Sequence, residues 1–138
     1  MDKKQITEAE LLKMPAKQYM DEIQLEFFRD RLLALKREVA QNASITTQHL
    51  RAGEVLTDPS DRATQEEEHA IELRTRDRER KLLRKIDQAL ERIDDGSYGY
   101  CEETGEPIGL KRLLARPTAT LTVEAQERRE KRERVYAG

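Results

Sequence analysis

The sequence has few of the residues that crosslink a chain or anchor it in a membrane. It contains one cysteine, no tryptophan and only 4% aromatic residues. A single cysteine cannot form an internal disulfide, which agrees with a reducing compartment. No apolar run approaches the ~20 residues that span a bilayer, and the first residues are not followed by the apolar stretch of a signal peptide. We therefore expect a cytoplasmic protein with no membrane partner.

The sequence also lacks an excess of either charge. Charged residues make up 39% of the chain, with 26 Lys and Arg against 28 Asp and Glu and a formal net charge of -2. Such a chain is not drawn as a whole to DNA or to a membrane surface, so direct sequence-specific DNA binding is not expected. Leu, Glu, Arg, Lys and Ala dominate instead, and this composition favours long solvated helices over a compact sphere.

Two long helical stretches are joined by a short acidic turn. Between Lys17 and about Leu56, apolar residues recur at three- and four-residue steps, namely Met20, Ile23, Phe27, Phe28, Leu32, Leu35 and Val39. Between about Pro59 and Asp95 the same spacing is found at Leu83, Ile86, Leu90 and Ile93. This spacing is typical of helices, and two helices joined by a short turn pair antiparallel. The sequence predicts a coiled-coil hairpin with its tip at residues 57–63.

The remaining residues are expected to form a small globular end. Residues 1–32 supply its N-terminal helical part, residues 33–95 form the antiparallel coiled coil, and residues 96–138 form the last part. Within that last part, a turn-rich segment precedes one or two helical turns at Leu110 to Ala115 and a final helix from about Val123 to Val135. The predicted fold class is all-α.

Two blocks of the sequence carry specific motifs. The first is Asp58-Pro59-Ser60-Asp61-Arg62-Ala63 and the charged helix that follows it to Lys81. The second runs from Tyr98-Gly99-Tyr100-Cys101 through Ile108-Gly109 to Arg116-Pro117-Thr118-Ala119. In order and spacing the two blocks resemble the DksA/TraR family of bacterial RNA polymerase regulators. The resemblance covers the chain from about Asp58 to Gly138, and the N-terminal third fits in length and helical character.

The resemblance implies a monomeric, non-enzymatic transcription regulator that binds RNA polymerase and inserts its coiled-coil tip into the secondary channel. It implies that the protein acts with the nucleotide ppGpp in the stringent response, destabilising open complexes at ribosomal RNA promoters and activating some biosynthetic promoters. The positions that match the family's polymerase-contacting tip are Asp58, Asp61 and Ala63. The positions that match its ppGpp site are Leu82, Lys85 and Arg116, while Gln126 replaces a family lysine.

Most of the family carries four zinc cysteines as two Cys-x-x-Cys pairs. The matching positions in this chain are Cys101, Thr104, Thr122 and Ala125. A tetrahedral zinc site needs four strong donors, so we expect no metal, no other cofactor, and membership of a cysteine-poor, zinc-independent branch. Packing of apolar residues such as Tyr98, Leu113 and Val123 would then hold this region. Cys101 itself is expected to be a small packing residue with an unactivated thiol, because its sequence neighbours are acidic.

Other functions are compatible with parts of the sequence. The two aspartates of the turn are also suited to capping a helix that begins at Pro59. A Gre-like transcript-cleavage factor also has an acidic coiled-coil tip, but the forty or so residues after the coil show little strand pattern. A nucleic-acid-binding finger would need zinc ligands and a basic excess, and a thiol enzyme would need a histidine near Cys101. A plain coiled-coil adaptor would explain the helices alone.

Overall fold

The structure, a computed structural model, describes residues 6–51 and 59–137, with side chains described at 6–43 and 61–136. The described residues form five α-helices, which are α1 (Glu8–Lys13), α2 (Glu22–Arg51), α3 (Pro59–Asp95), α4 (Leu110–Ala115) and α5 (Val123–Ala137). These residues contain no strand, only an isolated antiparallel bridge between Tyr100 and Pro107. None of their helices has the length and apolar character that crossing a membrane requires. The predicted all-α class is confirmed.

The start of α2 differs from the prediction. The helix begins at Glu22 rather than near Lys17, because a 3₁₀ turn occupies Ala16–Gln18 and Met20 has a φ of 57°. The Asp21 carboxylate then accepts the Gln24 N–H at 2.9 Å, which satisfies a donor of the first helical turn. The expected end of this helix near Leu56 lies outside the described residues.

The chain divides into two compact units. The larger unit comprises Met1–Leu32 and Gln88–Gly138. Its buried apolar side chains are Leu11, Met20, Phe28, Leu32, Ala89, Ile93, Tyr98, Cys101, Ile108, Leu113, Leu121 and Ala125. The rings of Phe28 and Tyr98 lie 5.6 Å apart, so the start of α2 packs against the segment after α3. The prediction that Val123 packs in this core is wrong, since its side chain is 46% exposed at the first position of α5 and Ala125 is the buried residue of that turn.

Tyr19 ties the N-terminal part of the larger unit to the segment after α3. Its hydroxyl donates a hydrogen bond to the Gly99 carbonyl at 2.6 Å and accepts one from the Gly109 N–H at 2.9 Å. Its ring meets that of Tyr100 edge to face at 5.6 Å between centroids. Burial raises the pKa of Tyr19, which keeps the hydroxyl protonated and able to donate.

The second unit, Leu33–Asp87, is called the two-helix unit because it holds the later part of α2 and most of α3. Its Lys36 ammonium lies 2.7 Å from the Asp87 carboxylate. In the larger unit, Arg29 pairs with Asp94 at 2.6 Å. The later residue of α2, Lys36, thus pairs with the earlier residue of α3, Asp87. The two helices therefore run antiparallel, as the sequence predicted.

Candidate functional site

The predicted tip falls at the start of α3. Asp58 lies outside the described residues. Asp61 is in the first turn of α3 and exposed, and Ala63 is exposed in the same helix. A carboxylate in the first turn interacts favourably with the positive end of the helix dipole. Asp61 can therefore stabilise the helix start while its side chain remains open to solvent.

The predicted nucleotide positions are divided between the two units. In the two-helix unit, Leu82 is half-buried and Lys85 is exposed, close to one turn apart on α3. In the larger unit, Arg116 is exposed directly after α4, where its N–H closes the last turn onto the Arg112 carbonyl at 2.7 Å. Gln126 on α5 donates to Glu130 at 3.0 Å. Lys85 and Arg116 each present a cation to solvent.

The finger loop, defined here as Cys101–Glu106, is a tight reversal stabilised by its own hydrogen bonds. The Cys101 N–H donates to the Glu106 carbonyl at 2.8 Å, and the Gly105 N–H donates to the Cys101 carbonyl at 2.9 Å. The Thr104 hydroxyl accepts the Glu106 N–H at 3.2 Å. Gly105 has a φ of 75°, which a residue with a Cβ adopts at a cost. The loop is thus a preformed turn.

The four positions matching the family's zinc cysteines lie together. Cys101, Thr122 and Ala125 are buried, and Thr104 is exposed on the loop. The Thr122 hydroxyl lies 4.0 Å from the Cys101 sulfur and accepts the Ala125 N–H at 3.2 Å, so Thr122 caps α5. The finger loop therefore packs against the start of α5. The Thr122 hydroxyl, the Cys101 thiol and the Ala125 methyl group are buried in this contact.

The environment of Cys101 differs from the expectation of an unactivated thiol. Burial raises its pKa, but hydrogen bonds from the Thr104 side chain and from the backbone of Thr122, Thr104 and Glu103 together lower it to about 7. These donors are neutral groups of the folded turn and of Thr122, the residue that caps α5, and none of them is a charged side chain. The acidic side chains of Glu102 and Glu103, which follow Cys101 in the sequence, give no indication of these donors.

The donor set does not fit a structural zinc ion. The four positions offer one thiol, two neutral hydroxyls and a methyl group, whereas such a site takes four thiolate or imidazole donors. Elsewhere in the part of the chain that the structure describes, no group of three or more His, Cys, Asp or Glu side chains could hold a metal ion.

Ion pairs on both sides of the finger loop were not foreseen. Glu102 pairs with Arg92 at the end of α3 at 2.5 Å, and Glu103 pairs with Arg129 and Arg132 of α5 at 3.0 and 3.2 Å. The available sequence signal was that Ala125, Arg129 and Arg132 are spaced by four and three residues and so share one helix face. Without the fold, nothing indicated that this face meets the loop.

Comparison with known proteins places both parts of the chain in one family. A model described as the DnaK suppressor protein DksA, N-terminal domain, matches residues 24–93, and the prokaryotic dksA/traR C4-type zinc finger matches residues 96–131. A Caulobacter vibrioides protein named RNA polymerase-binding transcription factor DksA is 60% identical over 119 residues, covering 86% of this chain and 84% of that protein. The chain belongs to the DksA family.

Other DksA proteins agree over most of the length. The Escherichia coli K12 protein of the same name is 44% identical over 125 residues, which cover 90% of this chain and 83% of that protein. The solved structure of transcription factor DksA2 from Pseudomonas aeruginosa matches with a TM-score of 0.83 at 54% identity, covering 93% of this chain and 99% of that one. The DksA fold therefore accounts for both units, although this chain retains one cysteine where the C4-type finger has four.

Proposed function

We propose that this chain binds RNA polymerase directly and regulates transcription without catalysing a reaction. The observation that carries the proposal is the match to the DksA family over both the paired helices and the finger. A match confined to the helices would support only a coiled-coil adaptor. The relatives at 60% and 44% identity are both named RNA polymerase-binding transcription factors.

In the proposed mechanism, the hairpin enters the secondary channel of the polymerase and places its acidic tip near the active centre. Asp61 supplies an exposed carboxylate there, and Ala63 offers a small neighbouring surface. Asp58, which lies outside the described residues, is proposed to cap α3. A carboxylate is suited to the cationic and metal-containing surroundings of such a centre. The expected effect is destabilisation of open complexes at ribosomal RNA promoters and activation of some biosynthetic promoters.

The nucleotide ppGpp is proposed to act with the protein through Leu82, Lys85 and Arg116. A polyanion is held by several cationic donors, and both Lys85 and Arg116 are exposed. Gln126 is neutral where the family has a lysine, so we expect weaker coupling to ppGpp than a chain with three cations would give.

The finger is proposed to fold without zinc, and the protein to act as a cytoplasmic monomer. The support for metal-free folding is the donor set at Cys101, Thr104, Thr122 and Ala125. The Thr122 hydroxyl lies 4.0 Å from the Cys101 sulfur and accepts the Ala125 N–H at 3.2 Å, and all three residues are buried. A finger of this kind would keep its shape when zinc is scarce.

The test is transcription by purified RNA polymerase from a ribosomal RNA promoter, with and without ppGpp. The protein is treated with a zinc chelator and desalted before it is mixed with RNA polymerase, so the polymerase is not exposed to the chelator. We expect the wild-type protein to repress and Asp61→Asn to repress far less, because the substitution removes the tip charge while nearly preserving its size. Lys85→Ala and Arg116→Ala should retain the repression seen without ppGpp and lose the part that ppGpp adds.

The matched control is Asp77→Asn, which removes an exposed carboxylate farther along the same helix. It should repress as the wild type does. Circular dichroism establishes that each variant is folded. If wild type and Asp61→Asn are both folded and neither alters transcription, the channel mechanism fails and a coiled-coil adaptor becomes the better interpretation.

A further inference from the structure

In a four-cysteine finger, one metal ion ties the two ends of the finger together. In this chain the corresponding parts are the finger loop and the start of α5, and their residues do not fit a zinc ion. We propose that Glu103, Arg129 and Arg132 form an ion-pair latch that holds the finger loop on α5 in place of the metal. The inference rests on the metal-free folding proposed above.

The geometry of Glu103 is that of a shared acceptor. One carboxylate oxygen accepts hydrogen bonds from Arg129 through Nη2 at 3.0 Å and Nε at 3.3 Å, and from Arg132 Nη2 at 3.2 Å. The Glu103 side chain is 25% exposed and that of Arg129 is 42% exposed. Charge-assisted hydrogen bonds with two donors on one guanidinium fix direction as well as distance. The hydrogen bond from Arg129, with the nearby charges of Arg128, Arg129 and Arg132, lowers the pKa of Glu103.

Helix α5 carries both arginines on the face that meets the loop. Ala125 is fully buried, Arg129 follows it by four residues, and Arg132 follows Arg129 by three on the same face. The cap at Thr122 fixes where the helix starts and so where these residues lie. The latch is therefore set one to two turns beyond the position of the fourth family cysteine.

The opposite side of the loop is held as well. Glu102 pairs with Arg92 at 2.5 Å, and its N–H donates to the Thr120 carbonyl at 2.9 Å. Adjacent residues of the loop thus pair in opposite directions, one with the end of α3 and one with α5. A latch of partly exposed charges is weakened by salt, whereas a metal-tied finger is weakened by chelators and thiol oxidants.

The test is amide hydrogen exchange on the full-length protein, combined with measurement of its zinc content. The reporters are the Cys101 and Gly105 amides, which are hydrogen-bonded within the loop, and the Leu113 amide of α4 is the reference. We expect Glu103→Gln to accelerate loop exchange about two- to fivefold relative to Leu113, the range for ion pairs exposed to this degree. High salt should accelerate loop exchange in the wild type to a similar extent. In Glu103→Gln, high salt should accelerate loop exchange little beyond the effect of the substitution.

The matched control is Glu130→Gln, which removes a carboxylate of α5 whose partner Gln126 is in the same helix. Its loop should exchange, and respond to salt, as the wild type does. If loop exchange is unchanged in Glu103→Gln and is also unchanged by high salt in the wild type, the latch proposal is wrong. Metal-free folding would not be affected by that result. Stoichiometric zinc in the purified protein would instead overturn metal-free folding, whatever the exchange rates, so the two failures are distinguishable.

Discussion

The larger unit and the two-helix unit are stabilised to different degrees. The larger unit buries aromatic and aliphatic side chains from α1, α2, α4, α5 and the finger, and hydrogen bonds such as those of Tyr19 connect distant segments. Among the described side chains of the two-helix unit, the buried apolar ones are Val39 and Ile86. Ile71 and Leu73 of α3 are 56% and 50% exposed.

The polar atoms of the two-helix unit support the same contrast. His69 Nε2 and Glu79 Oε2 are buried atoms with no hydrogen-bond partner within the described residues, whereas most buried polar atoms of a folded protein are paired. Because apolar burial supplies most of the favourable free energy of folding, this unit should open more readily than the larger one. The proposed tip, at the start of α3, therefore lies in the less stabilised unit, while the finger loop belongs to the better stabilised one.

The largest expected effect is on the core of the larger unit. Phe28 is fully buried and its ring lies 5.6 Å from that of Tyr98, so Phe28→Ala should lower the free energy of unfolding by about 3–5 kcal/mol. Ile71→Ala, on the exposed face of α3, should change it by no more than about 0.5 kcal/mol. Urea denaturation measures both. Equal losses would remove the contrast between the units.

A smaller effect is expected at the close approach between Met20 and Gly99. A Cβ on Gly99 would lie 2.6 Å from Met20 Cγ, whereas one on Gly105 would meet nothing within 4 Å. Both glycines have a positive φ, so Gly99→Ala and Gly105→Ala share the backbone penalty. The additional overpacking should make Gly99→Ala less stable than Gly105→Ala by about 1–3 kcal/mol, measured by urea denaturation. Equal stabilities would mean that Met20 yields freely and that this contact does not order the unit.

Much of this architecture could be predicted from local sequence. Pro59 and Gly96 bracket a periodic stretch, and α3 ends at Asp95 as expected. Leu110 to Ala115 forms the predicted short helix. The start of α2 could not be found in this way, because the turn before it contacts a segment that is distant in sequence, where the Tyr19 hydroxyl donates to the Gly99 carbonyl. Apolar spacing continues through such a turn, so periodicity alone extends the helix too far.

The candidate site was less predictable than the fold. The positions of Cys101 and Thr122 follow from the family pattern, but the hydrogen bonds that lower the pKa of the Cys101 thiol come from a backbone turn and from the other end of the finger. The pairing of Glu103 with Arg129 likewise joins residues that are distant in sequence. In a chain with so many charged residues, sequence offers many possible partners for each carboxylate, and only the fold selects among them.

The effect that is smallest at neutral pH is the pH-dependent stability that Cys101 gives the larger unit. Its pKa is about 7 in the folded protein against an ordinary value of 9.0. An acid whose pKa is lowered by folding stabilises the folded state above its unfolded pKa, and this contribution is lost as the pH falls through the folded pKa. Stability contributed by the thiol should therefore rise between about pH 7 and about pH 9 and be absent at lower pH.

Urea denaturation of wild type and Cys101→Ala across this interval isolates the effect, because lost packing in the variant shifts its stability by a similar amount at every pH. The difference between the two proteins should grow with pH in favour of the wild type. Thr104→Val removes the side-chain hydrogen bond to the sulfur, so it should raise the thiol pKa and reduce the growth. Parallel pH profiles for wild type and Cys101→Ala would mean that the turn donors do not stabilise a thiolate, and that the finger is held by packing and ion pairs without a contribution from the charge on sulfur.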